Sequence, residues 1–189
     1  MWRAVKSCGS GLERVSGVGW VPKATFGRAW TLVGLGGLGP VSVPGIGYVG
    51  DSAFHDCTSM RSIHLGARDV GDQAFCACSK LQVASLPFAR RAPSRLFYNC
   101  CSLTSVSMPT ATWVLIKAFG LCSSLTAVSF PSVRQVGMWA FDGCRKLETL
   151  SLPSVDCVDE WAFRDCPRLT RDRVVAPNVV KDRLILRQN

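Results

Sequence analysis

One aromatic residue returns at a nearly fixed interval through most of this chain. Phe54, Phe75, Phe97, Phe119, Phe141 and Phe163 are separated by 21, 22, 22, 22 and 22 residues. Alanine precedes each of them except Phe97, which follows Leu96, and a cysteine stands three residues after each: Cys57, Cys78, Cys100, Cys122, Cys144 and Cys166. Six residues after each phenylalanine comes Met60, Leu81, Leu103, Leu125, Leu147 or Leu169, and Pro87, Pro109, Pro131 and Pro153 close four of the units, with Gly66 in that place once. The frame extends backwards through Leu32, Leu38, Val41, Val43 and Pro44, and Pro22 marks a fainter unit before that. A period of this length means an array in which each unit buries its apolar face only against its neighbours.

Each unit reads as three pieces. Leu147 to Pro153 has apolar residues at offsets 0, 3 and 5 and suits a short strand that the proline ends, because proline has no N–H for a neighbouring strand. Val133 to Val136 and Val155 to Val158 suggest a second extended piece on another side of the coil. Ala140, Phe141 and Cys144 lie at offsets 0, 1 and 4, the spacing of one face of a single helical turn. Stacked coils would pair their strands in parallel at about 4.8 Å and lay each Phe, Cys and Leu over its like in the next coil. The expectation is an α/β repeat solenoid of about seven coils, with a parallel sheet and short helical turns. Two stretches fit this frame poorly, Thr31 to Gly39, where glycines replace helix formers, and Arg90-Arg91-Ala92-Pro93, and the last coil has no proline at the expected place.

The string formed by Val136-Gly137, Ala140-Phe141, Cys144, Leu147, Leu150 and Pro153 resembles the BspA-like (Treponema pallidum-type) leucine-rich repeat. The resemblance covers about residues 27 to 175. It implies a right-handed superhelix, adhesion or protein–protein contact as function, and no catalytic residues. Residues 1–26 then form a basic N-terminal segment holding the faint first coil, 27–175 the solenoid, and 176–189 a basic C-terminal tail or cap.

Charge does not point to nucleic acid. The net charge of +9 divides into 5 basic and 1 acidic residues over 1–50, 10 and 9 over 51–162, and 7 and 3 over 163–189, so the excess sits at the ends and forms no basic stripe. Every apolar run after residue 51 is broken by a charge before it reaches the roughly 20 residues of a membrane-spanning helix. Met1 to Gly11 holds Arg3 and Lys6 with no hydrophobic block of secretory length following, which favours an intracellular location, and the basic first 30 residues fit an organelle-targeting segment loosely.

Of ten cysteines, six occupy one repeat slot, where cysteine serves as a small apolar residue. Cys8, Cys76, Cys101 and Cys157 are left over and form no paired C-x-x-C knuckles, so neither zinc nor a disulfide framework is expected, and reduced thiols are the default. His55 and His64, nine residues apart, lack the spacing of a zinc pair and read as surface residues. Gly34-Leu35-Gly36-Gly37-Leu38-Gly39 has no strand-then-helix frame for a nucleotide, and the repeat already claims its leucines. No catalytic residue, metal or cofactor is expected.

Two features exceed what packing requires. The strand position four after each leucine is Ser42, His64, Ser85, Ser107, Ser129, Ser151 and Arg173, with Thr104, Thr126 and Thr149 beside it, a small, neutral, wettable face for a partner's backbone. Trp139 and Trp161 stand two residues before their phenylalanines, where neighbouring coils would stack them on an outer ridge beside Arg164 and Arg168. Trp and Arg dominate many protein interfaces. The sequence therefore reads as a non-catalytic scaffold that holds another protein, with an accessory subunit docked through its basic ends, or a fragment of a surface adhesin, as alternatives.

Overall fold

The computed structural model describes residues 40–177 together with two strands before them, β1 (Leu12–Val15) and β2 (Gly19–Pro22). These two pair antiparallel, and Pro22, read as the end of a faint coil, closes β2. From residue 40 onward all pairing is parallel, as a winding chain requires. One row of strands comes from the leucine segments: β3 (Val41–Val43), then after β4 (Tyr48–Val49) β5 (Ser62–Leu65), after β6 (Asp69–Val70) β7 (Val83–Ser85), and after β8 (Arg91–Ala92) β9 (Ser105–Ser107). The row continues past β10 (Trp113–Val114) with β11 (Ala127–Ser129), past β12 (Gln135–Val136) with β13 (Thr149–Ser151), and past β14 (Cys157–Val158) with β15 (Val174–Val175). The even-numbered strands β4 to β14 form a second, narrower row. Each turn of the solenoid runs from an even strand through a phenylalanine corner to an odd strand, giving six turns where about seven were expected; of the coil around Leu32 only the closing strand β3 lies within the described residues.

The corners are not helical, which corrects the α/β description: among the described residues there is no α-helix, and the molecule is a parallel β-solenoid. The reason is where the backbone donors go. In one corner the N–H groups of Arg95, Phe97 and Asn99 reach forward to Ile116, Ala118 and Gly120 of the next turn at 3.0, 2.8 and 2.8 Å, while those of Leu96, Tyr98 and Cys100 bond three residues back. A helix would keep every donor inside the turn and leave the neighbour unbonded. Alternation requires left-handed backbone at two places per corner, such as Arg95 (φ 54°) and Asn99 (φ 60°), or Trp139 (φ 56°) and Gly143 (φ 73°).

Inside the corners the rings stack face to face. Neighbouring centroids from Phe54 through Phe163 lie 5.1 to 5.6 Å apart. The cysteine slot also has a polar role that its apolar reading missed. From Cys78 onward each thiol donates to the carbonyl of the phenylalanine one turn earlier: Cys78 to Phe54, Cys100 to Phe75, Cys122 to Phe97, Cys144 to Phe119 and Cys166 to Phe141, at 3.0 to 3.2 Å. Burial pushes the Cys100, Cys122 and Cys144 thiols above their ordinary range, so the reactive thiolate is suppressed there. A short iodoacetamide pulse on the native protein, followed by peptide mass spectrometry, should label the exposed Cys101 and Cys157 and spare Cys100, Cys122 and Cys144 until denaturant is added. Rapid native labelling of Cys122 would contradict the buried ladder.

Three local details depart from the even repeat. Arg91 and Ala92, in the segment that fits the frame poorly, form β8 and pair in register with Trp113 and Val114. The last coil is complete: Leu150 pairs with Val174 instead of a residue 22 later, because a 3-10 turn at Arg171–Arg173 adds two residues, and the closing proline is Pro177. Finally, β9 and β11 adjoin without being hydrogen-bonded neighbours, so the leucine row splits into β3-β5-β7-β9 and β11-β13-β15. Phe130, in the slot that Leu86, Met108 and Leu152 hold elsewhere, packs against both Phe119 and Phe141, and the Phe97–Phe119 pair is the most tilted of the stack at 24°. A larger ring than in the other coils thus sits beside the opening.

Candidate functional site

Strand alternation turns the residues on either side of each buried leucine-row side chain outward. Ser42, His64, Ser107 and Ser129 are exposed and Ser85 and Ser151 half-buried, so the serine ladder is an outer face as the sequence suggested. Its rungs are the register pairs Ser42–His64, His64–Ser85, Ser85–Ser107 and Ser129–Ser151, and His64 Nδ1 lies 3.1 Å from Ser85 Oγ. Arg173 does not continue it: the extra residues of the last coil put Val175 opposite Ser151. Where the row splits, a shallow groove of about 480 Å³ opens, with Val106, Val128 and Leu150 in its floor, Ser105, Ser129 and Ser151 along it, and Asp172 and Arg173 at one end.

A second set of hydroxyls was missed. Thr110, Ser132 and Ser154, each just after a turn proline, donate to the carbonyl of Pro87, Pro109 and Pro131 one turn earlier at 2.8 to 3.1 Å. The recurring Pro-Ser/Thr pair in the sequence was the available signal, and its role is to tie coils together.

Trp139 and Trp161 are half-buried, which corrects the expectation of an exposed stacked pair. Ring contacts among the described residues run between phenylalanines, and the Trp139 face instead receives Lys117, whose Nζ sits 4.8 Å from the ring centroid. Both tryptophans have left-handed backbone, φ 56° and 60°, as the same slot does at Ser52, Gln73, Arg95 and Lys117. Arg164 lies 3.9 Å from its neighbour Asp165, and Arg168 is tied to Glu148 at 3.0 Å together with Arg173 at 3.3 Å. The structure thus leaves Arg164 and Arg168 exposed but engaged. His55 faces the Asp56 carboxylate at 2.9 Å. No helix among the described residues is long and apolar enough to cross a membrane.

A parallel solenoid with one aromatic corner and one leucine strand per coil is a leucine-rich repeat fold. The family described as the BspA type leucine-rich repeat region matches in six copies over residues 40–112 and 90–179, and the chain belongs to it. No curated protein matches the sequence. Among solved structures, a leucine-rich repeat protein from Bacteroides ovatus is 28% identical with a TM-score of 0.64, over 71% of this chain and 36% of that one. A leucine-rich cell surface protein from Faecalibacterium prausnitzii shares the fold at 19% identity and a TM-score of 0.61, over 70% of this chain and 46% of that one. The Treponema pallidum leucine-rich repeat protein does so at 24% identity and a TM-score of 0.50, over 71% of this chain and 85% of that one. The chain therefore spans between a third and a half of the length of the first two. Leucine-rich repeat proteins commonly bind other proteins, and members of this family are generally non-catalytic.

Proposed function

We propose that this chain is a non-catalytic scaffold that holds another protein against the hydroxyl face of its leucine-strand row. The observation that carries the reading is the groove at the split between β9 and β11, where an apolar floor is bordered by small hydroxyls and carries charge only at the Asp172–Arg173 end. Such a site suits an extended segment whose backbone bonds to Ser and Thr while its side chains reach the valines. The Trp139–Trp161 ridge, with Arg164 and Arg168, is a second contact in this reading, reached from the corner side.

Affinity purification with the wild-type chain, with Ser129→Glu/Ser151→Glu, and with Trp139→Ser/Trp161→Ser tests it. Two charges in the groove should remove the retained partner, and loss of the tryptophans should weaken retention. A partner held equally by wild type and both variants rejects both surfaces.

A further inference from the structure

The narrow row of even strands has an outer face too, and its chemistry differs from that of the serine face. Each strand there contributes two residues, of which the first points out and the second is in most strands buried. Along the outer line Asp69, Arg91, Trp113 and Gln135 follow one another, with Arg91 and Gln135 the register partners of Trp113 on its two sides. Parallel strands bring such neighbours to about 4.8 Å at the backbone. Trp113 is 48% exposed, far more open than a tryptophan that serves packing. In the adjoining turns Phe88 is 54% and Ile116 41% exposed, so three of the large apolar side chains that solvent reaches belong to two consecutive coils.

The charges around Trp113 are unbalanced in the same place. Arg68, Arg90 and Arg91 are exposed, and none of them has a carboxylate within salt-bridge distance among the described residues, whereas Arg134 on the next coil is paired with Asp156 at 3.1 Å. Over residues 51–162 as a whole basic and acidic side chains nearly cancel, 10 against 9. The local excess is thus a matter of placement. Guanidinium groups are planar donors matched to carboxylates, and they stack on aromatic faces, which leaves Trp113 able to take an apolar or aromatic side chain between them.

We infer that the outer face of β8 and β10 is a docking surface for an acidic protein segment, whose carboxylates pair with Arg90 and Arg91 and whose apolar side chain lies on Trp113. This rests on the reading that the chain holds a protein partner and adds a third surface to the groove and the Trp139–Trp161 ridge, roughly opposite in chemistry to the hydroxyl groove. A protein segment fits better than a nucleic acid because the basic residues are few, confined to two or three rungs, and interrupted by exposed apolar side chains, where a phosphate backbone would need a continuous cationic track.

The probe is a fluorescein-labelled peptide alternating Glu with Leu and Phe, titrated into the full chain by anisotropy, beside the same peptide with Lys for Glu and a labelled oligo-dT of 20 nucleotides. The acidic peptide should bind and quench tryptophan emission. Trp113→Ala should weaken it about tenfold, the size of effect a central aromatic anchor carries. Arg90→Glu/Arg91→Glu should abolish binding, Arg90→Gln/Arg91→Gln should weaken it, and raising salt from 50 to 500 mM should weaken it in the wild type. Circular dichroism of each variant checks that the solenoid is intact. Equal or tighter binding of oligo-dT overturns the choice of a protein partner. Acidic-peptide binding that survives these substitutions but is lost in Ser129→Glu/Ser151→Glu overturns the placement and leaves the scaffold reading standing. No binding of the acidic peptide to any form overturns the inference, while a partner retained through the groove in affinity purification would still uphold the scaffold reading.

Discussion

Phe119→Ala should cost about 3 to 5 kcal/mol of unfolding free energy in a denaturant melt, the range for deleting a fully buried phenylalanine. Its ring is wholly buried and has three aromatic neighbours, Phe97 at 5.6 Å, Phe141 at 5.1 Å and Phe130 at 5.6 Å. Removing it takes a rung from the stack just where the leucine row is already split between β9 and β11, so the turns on either side keep only the corner bonds and the even-strand row. Because stability in such arrays is a sum of unit and interface terms, amide exchange should rise most in the corners of Phe97 and Phe141 and least in the outer turns. Phe88→Ala, at a 54% exposed ring, is the control and should stay within about 0.5 kcal/mol. A loss below about 1 kcal/mol for Phe119→Ala would remove the basis for the ladder.

Gly66→Ala is expected to cost about 3 kcal/mol, at the upper end of what overpacking does, although it adds a single methyl group. A Cβ at residue 66 would lie 1.7 Å from the Pro44 carbonyl oxygen and 2.7 Å from its carbon. Those are backbone atoms of the preceding coil, so no side-chain rotation relieves the clash, and β3 must move away from β5. That motion strains the Gly66 N–H bond to Val43, now 3.1 Å. Amide exchange should therefore accelerate at Val41–Val43 and stay unchanged at Ala127–Ser129. Gly45→Ala, where an added Cβ meets nothing within 4 Å, should be nearly neutral. If the two variants melt alike, the close approach at Gly66 is not a determinant.

The residues that repeat most strictly were the ones whose environment the sequence revealed. Phe, Cys and Leu at fixed spacing could only be core, and the two strand rows followed from apolar pairs such as Val133 with Val136 and Leu147 with Leu150. What the periodicity could not distinguish was a helical corner from a corner bonded to its neighbours. Offsets 0, 1 and 4 put Ala140, Phe141 and Cys144 inward in either case, and the difference lies in donors of the main chain, which carry no side-chain signature. The same holds for Arg173: its spacing from Leu169 is that of Ser151 from Leu147, but three polar residues at 171–173 form a 3-10 turn and shift the register. Of the candidate site, the serine ladder was legible because strand alternation is unambiguous. The ridge was misread because the repeat spacing fixes where Trp139 and Trp161 fall along the turn but not how far their rings are covered, and Trp113 was passed over because it recurs in no other coil.

The two-residue enlargement of the last coil says what sets the size of a turn. Val128 pairs with Leu150 across 22 residues and Leu150 with Val174 across 24. The entropy of closing a loop grows only with the logarithm of its length, so the longer coil costs under about 0.1 kcal/mol more to close. Val174 and Ala176 still reach the slots that Leu150 and Leu152 fill one turn earlier. Evolution can thus lengthen this chain between the slots almost without penalty, and a new surface loop on the solenoid is cheaper to acquire than a changed side chain within it.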